Sequence, residues 1–161
     1  MQGKYPSRKH ITVQEAQQKL ERYCAYQDRC HLEVVSKLKE MRMIPEAIDV
    51  IVAHLIQENY LNEERFARSF ARGKFNIKKW GKNRIVNELK RRQISTFNIK
   101  CALSEISEED YLNAFNELAI KKWEQLNTEN LQRRKKKLTD YLFYRGWESH
   151  LVYEKIQELK P

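Results

Sequence analysis

Residues 62–71 read NEERFARSFA, and the spacing of these ten residues sets the fold class. Asn62 can accept a free N–H at a helix start, and Glu63 and Glu64 then face the positive end of the helix dipole. Phe66, Ala67, Phe70 and Ala71 fall on one side of a 3.6-residue period, so they form a single buried stripe. A strand, with its period of two, would split the same four residues between opposite faces. Further on, Ile85, Val86 and Leu89 mark a second helix. Ser95 caps a third, which holds Ile99, Ala102, Leu103 and Ile106.

The same phrase recurs on both sides. Upstream, Thr12-Val13-Gln14-Glu15 is a capping box that opens a helix over about 13–26, carrying Ala16, Leu20, Tyr23 and Cys24. Val34, Val35, Leu38 and Met41 mark a helix over about 31–42. Pro45 suits the first turn of the next, where its missing N–H costs nothing, and Ile48, Ile51, Val52 and Leu55 line it up to a terminal Asn59. Downstream, Ser107 followed by Glu108, Glu109 and Asp110 opens a long helix from Tyr111 to Leu126. Thr128 is expected to start the next, ended by Gly146, and Ser149 to cap the last.

Spacing supports an internal repeat. Phe66 to Leu89 and Ala119 to Leu142 are both 23 residues, and Ala16 to Leu38 is 22. Ile44 to Ile56, Ile94 to Ile106 and Trp147 to Leu159 are each 12. Units that bury their apolar faces against neighbours make an elongated body. The expected architecture is all-α, with three tandem three-helix, helix-turn-helix-like repeats. They would occupy residues 13–59, 60–106 and 107–161 behind an N-terminal tail at 1–12.

Composition agrees. Only 4 glycines and 3 prolines stand among 161 residues, too few for the tight turns of a many-stranded sheet. Three cysteines make no disulfide framework, no apolar run is long enough to span a membrane, and the start MQGKYPSRKH lacks a signal peptide's apolar stretch. A cytoplasmic monomer with reduced thiols and no membrane contact is expected. Gly3, Gly73, Gly81 and Gly146 stand apart, so no phosphate-binding loop can be written, and the four histidines show no metal spacing. Neither catalytic residues nor a metal or cofactor is expected, and the chain is read as non-enzymatic.

Charge is where the sequence becomes specific. The net charge is +9, yet residues 65–100 alone carry 12 basic groups against the single acid Glu88. Such crowding predicts an anionic partner that neutralises it. On a helical wheel Ile85 and Leu89 face inward, leaving Arg84, Asn87 and Arg91 on the opposite face with Lys90 beside them. With Arg72, Lys74, Lys78, Lys79 and Lys82 they make the candidate binding surface. A second run, Arg133, Arg134, Lys136 and Lys137, spreads around its helix and joins the candidates. Glu64–Arg68 and Glu88–Arg92 are expected as i,i+4 ion pairs. The helix 95–106 has only Lys100 as a cation, so base readout by a helix-turn-helix is not indicated, and contacts to DNA phosphates are.

Three blocks in order resemble one family. Tyr60-Leu61-Asn62-Glu63-Glu64-Arg65-Phe66-Ala67 is similar to the GYLDDERFA-type signature of the RecX family, regulators of the bacterial RecA recombinase. Trp80-Gly81, Arg84-Ile85 and Glu88 through Ile94 resemble its WGxxRIxxELxxxGI segment. Lys137-Leu138, Tyr141-Leu142 and Arg145-Gly146-Trp147 resemble its KLxxYLxxRGF segment. The match runs over about 15–159. Asn59 stands where the family has glycine, a mild change because Asn tolerates a left-handed backbone. Gln93 replaces another turn glycine and predicts a different turn. The resemblance implies a non-enzymatic modulator that binds the groove of the RecA–DNA filament and restrains its ATPase, strand-exchange and coprotease activities in DNA repair and the SOS response. Phe66 and Arg65 are then structural, in the core and at a helix junction. The alternative is an autonomous, sequence-independent DNA-binding protein acting through the basic central repeat on single- or double-stranded DNA.

Overall fold

The computed structural model describes residues 10–159. Among them are nine helices and no strand: α1 (Val13–Tyr26), α2 (His31–Glu40), α3 (Pro45–Gln57), α4 (Glu63–Lys78), α5 (Lys82–Arg91), α6 (Thr96–Leu103), α7 (Glu108–Gln125), α8 (Leu131–Tyr144) and α9 (Ser149–Glu158). The expected tail at 1–12 lies outside the described residues apart from its last three positions. The chain divides into two compact units, residues 1–63 and 64–161.

In the first unit, α1 opens on the expected capping box. Glu15 N–H donates to Thr12 Oγ1 (3.1 Å), and Thr12 N–H donates to Glu15 Oε2 (2.9 Å). Its buried stripe, Ala16, Leu20 and Cys24, closes with Val34, Leu38, Ile48, Ile51, Leu55 and Leu61 into one core. Burial raises the Cys30 thiol pKa, so this cysteine behaves as a small hydrophobe at the start of α2.

In the second unit, α4 buries Phe66, Ala67, Ala71 and Phe75, α7 buries Tyr111, Phe115, Ala119 and Trp123, and the shorter helices close over these stripes. Ser95 and Ser107 cap α6 and α7 as expected, each accepting the N–H three residues on. Two expected starts are corrected. Asn130, not Thr128, caps α8, because its amide oxygen directly precedes the first helical turn and reaches Arg133 N–H (2.9 Å). Glu148, not Ser149, is the N-cap of α9, and Ser149 is the first helical residue.

The repeat shows most sharply where each second helix ends. Met43 N–H returns to Leu38 O (3.1 Å), Ile94 N–H to Leu89 O (3.1 Å) and Trp147 N–H to Leu142 O (3.2 Å). One residue earlier, Arg42, Gln93 and Gly146 adopt positive φ (59°, 59° and 88°) and donate to Lys39, Lys90 and Phe143. This is one Schellman closure, made at the end of each second helix and once more after α3, where Asn59 (φ 58°) and Tyr60 return to Ile56 and Leu55. It corrects two expectations. The turn at Gln93 is not different, because its two returning hydrogen bonds and the buried Ile94 offset the ~1–2 kcal/mol that a non-glycine residue costs in the left-handed region. The counterpart of Ile94 is Met43, not Ile44, which sits one position later as the N-cap of α3 and is 63% exposed.

A candidate interface across the second and third repeats

α5 meets the end of α8 backbone to backbone. Gly81 N–H donates to Arg145 O (2.8 Å), and Asn83 N–H donates to Gly146 O (3.1 Å). Free N–H groups at the start of one helix thus satisfy free carbonyls at the end of another, and the opposed dipole ends attract. Both glycines are required. A Cβ at Gly81 would lie 2.6 Å from Trp147 N, and one at Gly146 would lie 2.8 Å from Arg84 Cα.

An aromatic row crosses the same joint. Phe75 stacks on Tyr111 (centroids 5.9 Å), Tyr111 meets Trp147 (4.6 Å), and Trp147 meets Phe115 (5.2 Å). Tyr111 also bridges three helices through its hydroxyl, which accepts from Lys82 N–H (2.9 Å) and donates to Glu148 Oε2 (2.5 Å). Burial first, and then the hydrogen bond to Glu148, push the Tyr111 pKa far above its ordinary 10.0. Its ring was legible as core; the role of its hydroxyl was not. Trp147 is fully buried, and its indole nitrogen has no hydrogen-bond partner among the described residues.

The joint decides which predicted cations are available. Arg84, expected on the open face of α5, is wedged between two rings, 4.1 Å from the Trp80 centroid and 4.6 Å from that of Tyr144. Its Nη1 donates to the Tyr144 carbonyl (3.0 Å). Lys82 covers the Tyr111 ring at 4.3 Å and reaches Glu108 at 3.4 Å. Lys74 lies over Trp80 at 5.0 Å. Arg72 is paired with Glu105 (2.7 Å), which also takes Arg68 (2.9 Å), and Glu64 takes the other side of Arg68 (2.8 Å). Acids from outside the basic stretch therefore fold back onto it, which the linear count of charges could not show.

The exposed remainder is compact. Asn87, Lys90 and Arg91 lie exposed on α5, and Arg91 is 76% exposed although Glu88 holds it at 3.1 Å. Glu88 also receives Arg92 (2.9 Å); that hydrogen bond is the main reason its pKa falls below the ordinary value. Lys78 is exposed at the end of α4, where its carbonyl accepts from Arg145, and Lys79 follows in a left-handed turn. In the second basic run, Arg134 is structural: it stacks on Trp123 at 3.8 Å and donates twice to its carbonyl. Arg133 and Lys137 share Glu129, and Lys136 pairs with Asp140 (2.6 Å).

A cleft of about 410 Å³ opens between the exposed face of α5 and the turn from α8 to α9, with Asn83, Asn87 and Arg91 facing Phe143, Tyr144 and Ser149. Sequence reasoning missed Tyr144, which is 74% exposed. A signal was present: Phe143 and Tyr144 stand off the apolar stripe that Leu138 and Leu142 define.

Among the described residues no group of His, Cys, Asp and Glu could hold a metal ion, and no helix is long and apolar enough to cross a membrane. Nine helices among the described residues, in three-helix repeats with exposed cations beside a buried joint, define a helical repeat protein. The sequence models of the RecX second three-helix domain and of its third match residues 62–103 and 108–156, and the chain belongs to the RecX family. Regulatory protein RecX of Lactobacillus johnsonii is 32% identical over 92 residues, 57% of this chain and 34% of that one. That of Bacillus cytotoxicus is 26% identical over 148 residues, 92% of this chain and 55% of that one. The chain thus spans about half the length, or less, of these curated relatives. Among solved structures, regulatory protein RecX aligns with a TM-score of 0.76 at 26% identity, over 91% of this chain and 74% of that one. RecX from Lactobacillus salivarius aligns with 0.77 at 22%, over 91% and 96%, and shares the fold.

Proposed function

We propose that the chain is a non-enzymatic modulator of RecA that binds the groove of the RecA–DNA filament and restrains its ATPase, strand-exchange and coprotease activities. Membership of a family whose curated members are named regulatory proteins carries the reading. The exposed cations of α5 and of the end of α4 support it, because a groove lined by protein and DNA phosphate offers the negative charge they lack. Within that reading Lys78, Lys79, Asn87, Lys90 and Arg91 meet the partner. Arg84, Lys82 and Arg134 hold the repeats in shape, and Arg133, Lys136 and Lys137 stay at the margin, bound to their own acids.

The test is ATP hydrolysis by RecA on single-stranded DNA, with the chain added at substoichiometric ratios. Hydrolysis should fall, and the fall should survive competitor DNA. Unchanged hydrolysis at saturating chain would overturn the reading in favour of plain, sequence-independent DNA binding. That alternative predicts tight binding to bare DNA that weakens steeply with salt, as displaced counterions drive it.

A further inference from the structure

The cleft beside the glycine joint combines features that ion pairing within the fold does not explain. Arg84 lies against one face of the Tyr144 ring, 4.6 Å from its centroid, anchored there by its hydrogen bond to the Tyr144 backbone carbonyl. With 74% of Tyr144 exposed, the rest of the ring is open to solvent. An aromatic ring covered on one face and bare on the other offers the bare face for stacking. Around it, Asn83 and Asn87 present amide groups, and Arg91 presents a guanidinium of which Glu88 engages one nitrogen.

The far wall adds hydrogen-bond donors for an anion. α9 is ten residues long and starts at Ser149, in the cleft, with no side chain capping its first turn. Its N-cap residue, Glu148, is held by the Tyr111 hydroxyl instead. The first-turn N–H groups beside Ser149 are therefore left for another acceptor.

We infer that this cleft is a subsite for single-stranded DNA, in which one unstacked base lies on Tyr144 and the neighbouring phosphate meets Arg91 and the first turn of α9. A duplex keeps its bases stacked and offers only phosphates, leaving the open ring unused. An acidic peptide would satisfy Arg91 and the helix start but has no planar group obliged to cover Tyr144. A single strand supplies both, and stacking on an aromatic ring is tolerant of base identity. This deepens the reading that the basic face meets DNA in a RecA filament, and rests on it.

The experiment needs no RecA. Binding of the full chain to a fluorescent oligo-dT strand is followed by anisotropy and compared with an abasic strand of the same length and charge. The abasic strand should bind about ten-fold more weakly to the unaltered chain. Tyr144→Ala should weaken oligo-dT binding by a similar factor and abolish the difference between strands, while Tyr144→Phe keeps it. Arg91→Gln should reduce the salt slope by about one. Equal binding of the two strands by the unaltered chain, or duplex bound more tightly than single strand, overturns the subsite. Loss of RecA inhibition with this pattern intact would instead overturn the filament reading and leave the subsite standing.

Discussion

Gly81 and Gly146 share one contact: the N–H of the first donates to Arg145 O, next to Gly146, and neither residue has room for a side chain. Two of the four glycines in the sequence are thus consumed where the second and third repeats join.

Gly146→Ala meets both a φ of +88° and the backbone of Arg84, so about 2–4 kcal/mol of stability should be lost. Gly81→Ala has an ordinary φ (−76°) and only the steric conflict, so its loss should be smaller. Urea unfolding ranks the two, and equal, near-zero effects would mean that the joint does not form.

Gln93→Gly should act in the opposite direction. Gln93 carries left-handed strain at φ 59° in a turn that Gly146 makes at no such cost. Relief of strain, less the added freedom of the unfolded chain, should stabilise by about 0.5–1 kcal/mol. Calorimetry should show a Tm higher by about 2 °C for a chain of this size.

Tyr111→Phe removes a hydroxyl with two partners and strands Lys82 N–H and Glu148, a loss of about 1–3 kcal/mol. The pH dependence is diagnostic. The pKa of Tyr111 is raised in the folded state, so the stability it contributes is complete below its ordinary 10.0 and is lost as pH rises beyond that. Alkaline melts of the variant should lose that part of the slope.

Glu88 gives the converse at acid pH. Its folded pKa lies below the ordinary 4.5, mainly through the hydrogen bond from Arg92. The stability it contributes is present above 4.5 and is lost as pH falls through the depressed value. Glu88→Gln should lower the neutral plateau of a Tm-against-pH curve and, for that reason, flatten its acid limb.

Lys90→Gln combined with Arg91→Gln should abolish the effect on RecA while stability changes by no more than about 1 kcal/mol, the cost of two cations leaving the last turn of α5 and of the pair with Glu88. Arg84→Ala should lower Tm as well, since it empties the space between Trp80 and Tyr144. Co-sedimentation with RecA filaments and a melt on each variant separate the two roles.

What the sequence disclosed follows a physical division. Helices with a strong local start were legible to the residue: Thr12, Ser95 and Ser107 act within three positions of themselves. Starts failed where two polar residues stood close together, as with Thr128 and Asn130, or where the N-cap residue makes no side-chain cap at all, as at Glu148. The face of α5 was read correctly from Ile85 and Leu89, yet Arg84 on that face is spoken for by Tyr144, 60 residues away. No periodicity encodes such a partner. Nor could charge counting foresee Glu105 folding back on Arg68 and Arg72.

The glycine contact also singles out one pair of helix ends. The residues that begin the second helix of each repeat are Cys30, Gly81 and Asn130, and those that close it are Arg42, Gln93 and Gly146. Only one of the first three lacks a side chain, and only one of the second three does. The socket and the plug each occur once among these six positions, so this contact has a single possible pair, between the second repeat and the third. Similar building blocks carry a single address, written in two missing methyl groups.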